Sequence, residues 1–228
     1  DQVVAHWEEV AEHDPNRESL NQYLNQARSQ LALRNQIKNG RSGAVESFRS
    51  DVPEGTTVRL RAVGDMMIGT DFPAGVLPKN DGRLSFDAVR EALSDADLTF
   101  GNLEGPLCDG GKTTKCKPGA PTGSCYAFRM PGRYAPYFKE AGFDLLSTAN
   151  NHSGDFGQVC RSQTEQLLDE QGIAHSGRPG DIASVQVNGL KVAMVGFHTS
   201  AATHDVRDID TAGSLVQSLT TRHDIVIV

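Results

Sequence analysis

The chain has 228 residues, long enough for one or two domains with a buried core. With 22 Lys and Arg against 29 Asp and Glu its formal charge is −7, which excludes the broad basic stripe of a general nucleic-acid binder. At 38% apolar and 22% charged residues it is not a disordered chain, and no apolar run reaches the length of a membrane span.

Residues 1–40 predict a helical N-terminal extension. Val3, Val4, Trp7, Val10 and Ala11 keep one face, Pro15 interrupts, and Leu20, Tyr23, Leu24, Ala27 and Leu31 resume the 3.6 period until Asn39-Gly40 stops it. Residues 41–56 have the composition of a linker. From residue 57 strands alternate with helices: strands over 57–63, 97–101 and 143–148, helices over 86–93, 132–141 and 157–171. Asn188-Gly189 between two apolar segments predicts a hairpin, followed by a helix over 211–221 and an apolar strand over 224–228. This alternation predicts an α/β fold with a largely parallel sheet. A chain that opens on Asp1 and stops on a strand of buried type is expected to be a processed or excised piece, incomplete at its C-terminal end.

Four cysteines, Cys108, Cys116, Cys125 and Cys160, require a choice between metal, disulfide and free thiol. Three lie in one Gly/Pro/Lys-rich loop at spacings no zinc knuckle uses, which favours disulfides and hence an exported protein. Sequence leaves all three pairings open.

The residues that carry chemistry follow the first three strands. Gly64-Asp65 ends the first, Gly101-Asn102-Leu103-Glu104 the second, and Ala149-Asn150-Asn151-His152 the third. Loops at the carboxyl ends of parallel strands converge on one edge, so the three clusters are expected to meet. Carboxylates, amide oxygens and an imidazole form a ligand set for a divalent metal such as Mn²⁺, Fe²⁺, Zn²⁺ or Mg²⁺. No serine or cysteine nucleophile with a nearby base is visible, so metal-assisted chemistry is the natural enzymatic reading, with His152 as a proton donor. Taken singly, each residue has an ordinary explanation as a turn or loop polar group, and Asn150-Asn151 reads as a turn pair. His198 at a later strand end is a further candidate, and Arg129 and Arg133 could meet an acidic polymer or phosphate.

Three strings, Gly64-Asp65-Met66-Met67-Ile68-Gly69, Phe100-Gly101-Asn102-Leu103-Glu104-Gly105-Pro106 and Ala149-Asn150-Asn151-His152-Ser153-Gly154-Asp155-Phe156-Gly157, resemble in order and spacing the bacterial capsule-synthesis CapA family. These are poly-gamma-glutamate biosynthesis proteins related to calcineurin-like metallophosphoesterases. The resemblance spans residues 57–228 and omits the N-terminal extension. It implies a two-sheet sandwich flanked by helices, a divalent metal held by Asp65, Asn102, Glu104 and Asn151, His152 as catalytic acid or stabiliser, and Asp155 orienting it. It also implies an anionic polymer or phosphorylated substrate, membrane-bound capsule-synthesis machinery as a partner, no nucleic acid, and a periplasmic or cell-surface location. Met67 stands where metallophosphoesterases carry a ligand histidine, and a thioether is a poor ligand for a hard ion. Hydrolase-like chemistry on a capsular polymer is therefore weighed against a non-catalytic assembly or export factor of the same fold, and against a cytosolic phosphoesterase with free thiols.

Overall fold

The computed structural model of the protein describes residues 48–228 apart from 74, 114 and 117–124. The expected N-terminal helices and the first part of the linker lie outside the described residues. Four parallel strands, β1 (Leu60–Met66), β2 (Leu98–Leu103), β3 (Leu145–Ser147) and β4 (Ala174–Ser176), form one sheet in that order. Their crossovers carry α1 (Arg90–Ser94), α2 (Ala135–Glu140) and α3 (Gly157–Glu170). A second sheet joins the hairpin β5 (Ala183–Val187) and β6 (Leu190–Met194) to β9 (Ile225–Ile227), which runs parallel to β6. Between β6 and β9 the chain forms the two-residue pair β7 (Phe197–His198) and β8 (His204–Asp205), then α4 (Ile209–Thr220).

The strand at 174–176 was not legible in the sequence. Its Ala-His-Ser triplet between Gly172 and Gly177 is too short and polar to show a period. The helix expected over 86–93 is shifted, because turns occupy the segment up to Val89 and the helical residues begin at Arg90.

Strand alternation sorts the core into layers. Leu98 and Leu145 share a cluster with Ala183, Val192 and Met194, so the two sheets pack face to face. On the outer face of the first sheet Leu103 and Leu146 meet Leu93 of α1, Phe138 of α2 and Leu168 of α3. On the outer face of the second, Ala193 and Val195 meet Leu215 and Leu219 of α4. The order is helices, sheet, sheet, helix. Gly101 is required by this packing, since a Cβ there would lie 2.6 Å from Val63 Cγ2 and 2.8 Å from Met66 Cε. Among the described residues no helix is long and apolar enough to cross a membrane.

Beyond the sheets, the segment before β1 is tied down rather than loose. Ser50 donates to Asp224 from its backbone N (2.8 Å) and its hydroxyl (2.7 Å), and Asn188 Nδ2 donates to the Thr57 carbonyl at 3.0 Å.

His204 in β8 is buried, and its Nε2 accepts the Gly180 N–H at 3.2 Å. Burial holds its pKa below the ordinary 6.5. The folded protein thus binds the proton less well than the unfolded chain, so this contribution to stability is complete above pH 6.5 and declines as pH falls below it. His204→Gln keeps an acceptor but does not titrate. Urea denaturation at pH 7 and pH 5 is expected to show a smaller loss of stability for the variant than for the parent protein.

Candidate functional site

Asp65 owes its position to a bulge. Ala62 pairs with Phe100, yet Asp65 and not Gly64 pairs with Asn102, so β1 holds one extra residue between two register points. Three steps along a plain strand would put Asp65 on the side opposite Ala62, and the bulge absorbs the extra residue so that Asp65 faces the same side as Asn102. Asn102 Nδ2 donates to Asp65 Oδ1 at 2.8 Å and to Glu104 Oε2 at 2.8 Å. Glu104, two residues on, keeps the parity of Asn102, and its backbone N donates to the Met66 carbonyl at 3.0 Å. Two carboxylates therefore converge on one amide nitrogen.

Asn150 fixes which end of that amide faces them. Its Oδ1 accepts the backbone N–H groups of His152 (3.0 Å) and Ser153 (2.8 Å), and its Nδ2 donates to the Leu103 carbonyl at 2.8 Å. Backbone groups have no ambiguity of donor and acceptor, so the orientation of Asn150 is determined. Its remaining N–H reaches Asn102 Oδ1 at 3.0 Å, which leaves the nitrogen of Asn102 for the acidic pair.

His152, 8% exposed, sits above this relay. Its Nδ1 lies 2.6 Å from Asp155 Oδ2, and its Nε2 lies 3.8 Å from Glu104 Oε1. The carboxylate of Asp155 accepts the Nδ1 proton, which turns Nε2 toward Glu104. Phe128 stacks on the imidazole with centroids 4.0 Å apart, and its backbone N donates to Asp155 Oδ2 at 2.9 Å. Lys115 Nζ donates to Asp155 Oδ1 at 2.7 Å and to the Asn151 carbonyl at 3.2 Å, and lies 3.0 Å from His152 Nδ1, whose proton goes to Asp155.

Of the residues expected from sequence, Asp65, Asn102, Glu104, His152 and Asp155 are thus linked in one network. Asn151 is exposed, and its side chain makes no hydrogen bond among the described residues. His198 bonds Ser200 through Nδ1 at 2.8 Å and makes no hydrogen bond to the network. Arg129 is committed to Asp71 at 2.6 Å and stacks 4.7 Å from the centroid of Phe156, while Arg133 pairs with Asp81. Sequence reasoning passed over Asn150, Lys115 and Phe128. Asn150 had its signal in the same Asn-Asn-His string, whereas Lys115 had only its place in the cysteine loop and Phe128 its place just after it.

Asp65 and Glu104 offer carboxylate oxygens, the kind of donor a hard divalent cation takes, and in this structure both accept from the Asn102 amide. Among the described residues, no three His, Cys, Asp or Glu side chains converge closely enough to hold an ion alone. Amide oxygens or further groups would have to complete the set.

Two disulfides frame this site: Cys108–Cys160 joins the β2 exit loop to α3, and Cys116–Cys125 closes a nine-residue separation next to Lys115. The pairing left open by the sequence is thereby resolved.

Among known proteins, y4sH and y4uA of Sinorhizobium fredii (strain NBRC 101917 / NGR234), both named as uncharacterized, are each 33% identical over 138 residues, covering 60% of this chain and 28% of theirs. The capsule biosynthesis protein CapA of Bacillus anthracis is 25% identical over 168 residues, covering 71% of this chain and 40% of its own length. The chain therefore spans well under half of these relatives. The family described as bacterial capsule synthesis protein PGA_cap matches residues 59–224, from just before β1 to the residue before β9, and to that family this chain belongs.

Proposed function

We propose that this chain carries the metal-binding part of an exported capsule-synthesis protein that acts on an anionic, poly-gamma-glutamate-type polymer or a phosphorylated precursor by hydrolase-like chemistry. The single observation that carries the reading is the convergence of Asp65 and Glu104 on one amide, with His152 Nε2 3.8 Å from Glu104. The family match, the CapA relative and the helix-sheet-sheet-helix order support it. The disulfides support an oxidising, extracytoplasmic location.

Asp65 and Glu104 would hold a divalent cation, with the exposed side chain of Asn151 able to add an oxygen. Such an ion would polarise a phosphoryl or acyl oxygen and lower the pKa of bound water. The chain's own residues supply the rest. Asp155 keeps Nδ1 occupied, so proton transfer at this imidazole occurs at Nε2, on the side of the acidic pair. Phe128 covers one face of the ring and limits water there. Asn102, held by Asn150, keeps the two carboxylates together.

Titration calorimetry with Mn²⁺ tests this. The parent protein is expected to bind, and Asp65→Asn with Glu104→Gln to weaken binding at least about tenfold, the scale seen when a metal site loses supporting groups. Absence of any binding by the parent would remove the metal reading.

A second reading, a binding module without chemistry, draws on Met67 at the usual ligand position, its side chain exposed. It predicts that His152→Ala leaves polymer production intact in cells, whereas the hydrolase reading predicts its loss.

A further inference from the structure

We propose that Lys115 is a positioning residue for the His152–Asp155 pair, and that the Cys116–Cys125 disulfide is what delivers it there. The inference deepens the site reading above but does not depend on a metal. The loop between β2 and α2 reaches the site with both of its arms. On the outgoing arm, Cys108 is pinned to Cys160, and Lys115 places Nζ against Asp155 Oδ1, His152 Nδ1 and the Asn151 carbonyl at 2.7, 3.0 and 3.2 Å. On the return arm, Phe128 gives a backbone N–H to Asp155 Oδ2 and stacks on the imidazole. Below them the arms are tied by Cys108 N to the Met130 carbonyl (2.9 Å) and Met130 N to the Pro106 carbonyl (3.0 Å).

The Asp155 side chain is 1% exposed and surrounded by three donors, Lys115 Nζ, His152 Nδ1 and Phe128 N. A carboxylate so buried needs its charge answered, and Lys115 is the residue that brings a full positive charge to it. Lys115 does so from a half-exposed position on a surface loop, with its side chain 35% exposed. A long flexible side chain on an open loop would favour solvent. The cross-link at the adjacent residue restricts where Lys115 can reach and links its arm to the arm of Phe128. The two described arms of the loop thus wall the site, and the second disulfide controls the alignment of the imidazole as well as adding stability by closing its loop.

Two measurements on the intact protein test this, and neither uses metal or substrate. Amine acylation followed by mass spectrometry is expected to label Lys115 several-fold more slowly than Lys112, which is exposed in the same loop and serves as internal reference. Cys116→Ala with Cys125→Ala, and separately Asp155→Asn, are expected to raise Lys115 to the rate of Lys112. Ring-nitrogen NMR of His152 at fixed pH is expected to shift in Lys115→Met and in the double cysteine variant, and to return toward the parent in Lys115→Arg. Lys115→Met retains both disulfides, so a folding failure in the cysteine variant would not hide the result. Equal labelling of Lys115 and Lys112 in the parent, or an unchanged His152 signal in Lys115→Met, overturns the proposal. A protein that passes these tests yet binds no Mn²⁺ would sink the metal reading alone.

Discussion

Asn150→Ala is expected to destabilise the protein by about 3 kcal/mol in urea denaturation, while Asn151→Ala, one residue away, should stay within about 0.5 kcal/mol. The asymmetry follows from what each amide does. Asn150 is 4% exposed and uses all four of its hydrogen-bonding positions, three of them on backbone groups of Leu103, His152 and Ser153. Alanine would leave those groups without partners in a region largely closed to water, where each unmet group costs about 1–3 kcal/mol. It would also release Asn102, so the acidic pair should lose alignment. A variant that is as stable as the parent would show that the relay is not the structural centre of the site.

Removing the Cys108–Cys160 bridge should have a comparable effect by a different route. Its ends are 52 residues apart in sequence, and chain-entropy reasoning assigns a loop of that length about 4 kcal/mol. The nine-residue separation of Cys116–Cys125 corresponds to about 2.6 kcal/mol on the same scale. Both Cys108 and Cys160 are fully buried, so alanine is the appropriate replacement, because serine would add a buried hydroxyl. Cys108→Ala with Cys160→Ala is thus expected to lower the denaturation midpoint more than loss of the smaller loop. Equal effects, or a larger one from the smaller loop, would contradict this ordering.

Strand and helix periods were readable where an element was long or closed by a clear turn, as in α3, α4 and the β5–β6 hairpin with its Asn188-Gly189 turn at positive φ. The three strand-end clusters were readable for the same reason, since parallel topology leaves them one place to converge. What the sequence withheld was direction. A glycine inside a strand hints at a bulge, but Gly64-Asp65 does not say which side Asp65 takes, and nothing in Asn150-Asn151 says which amide turns inward, because that depends on where Leu103 leaves a carbonyl unmet. Lys115 and Phe128 were equally hidden, since they reach the site through cross-links and loop packing that carry no period.

The extra residue between Ala62 and Asp65 has a consequence for how such chains can vary. The bulge absorbs one residue, so a chain lacking Gly64 would run in plain register from Ala62 and still bring its aspartate opposite Asn102. Spacing here is therefore less constrained than residue type. A chain of this family that aligns with a one-residue gap at this point would keep its aspartate in the cluster, on a straighter strand.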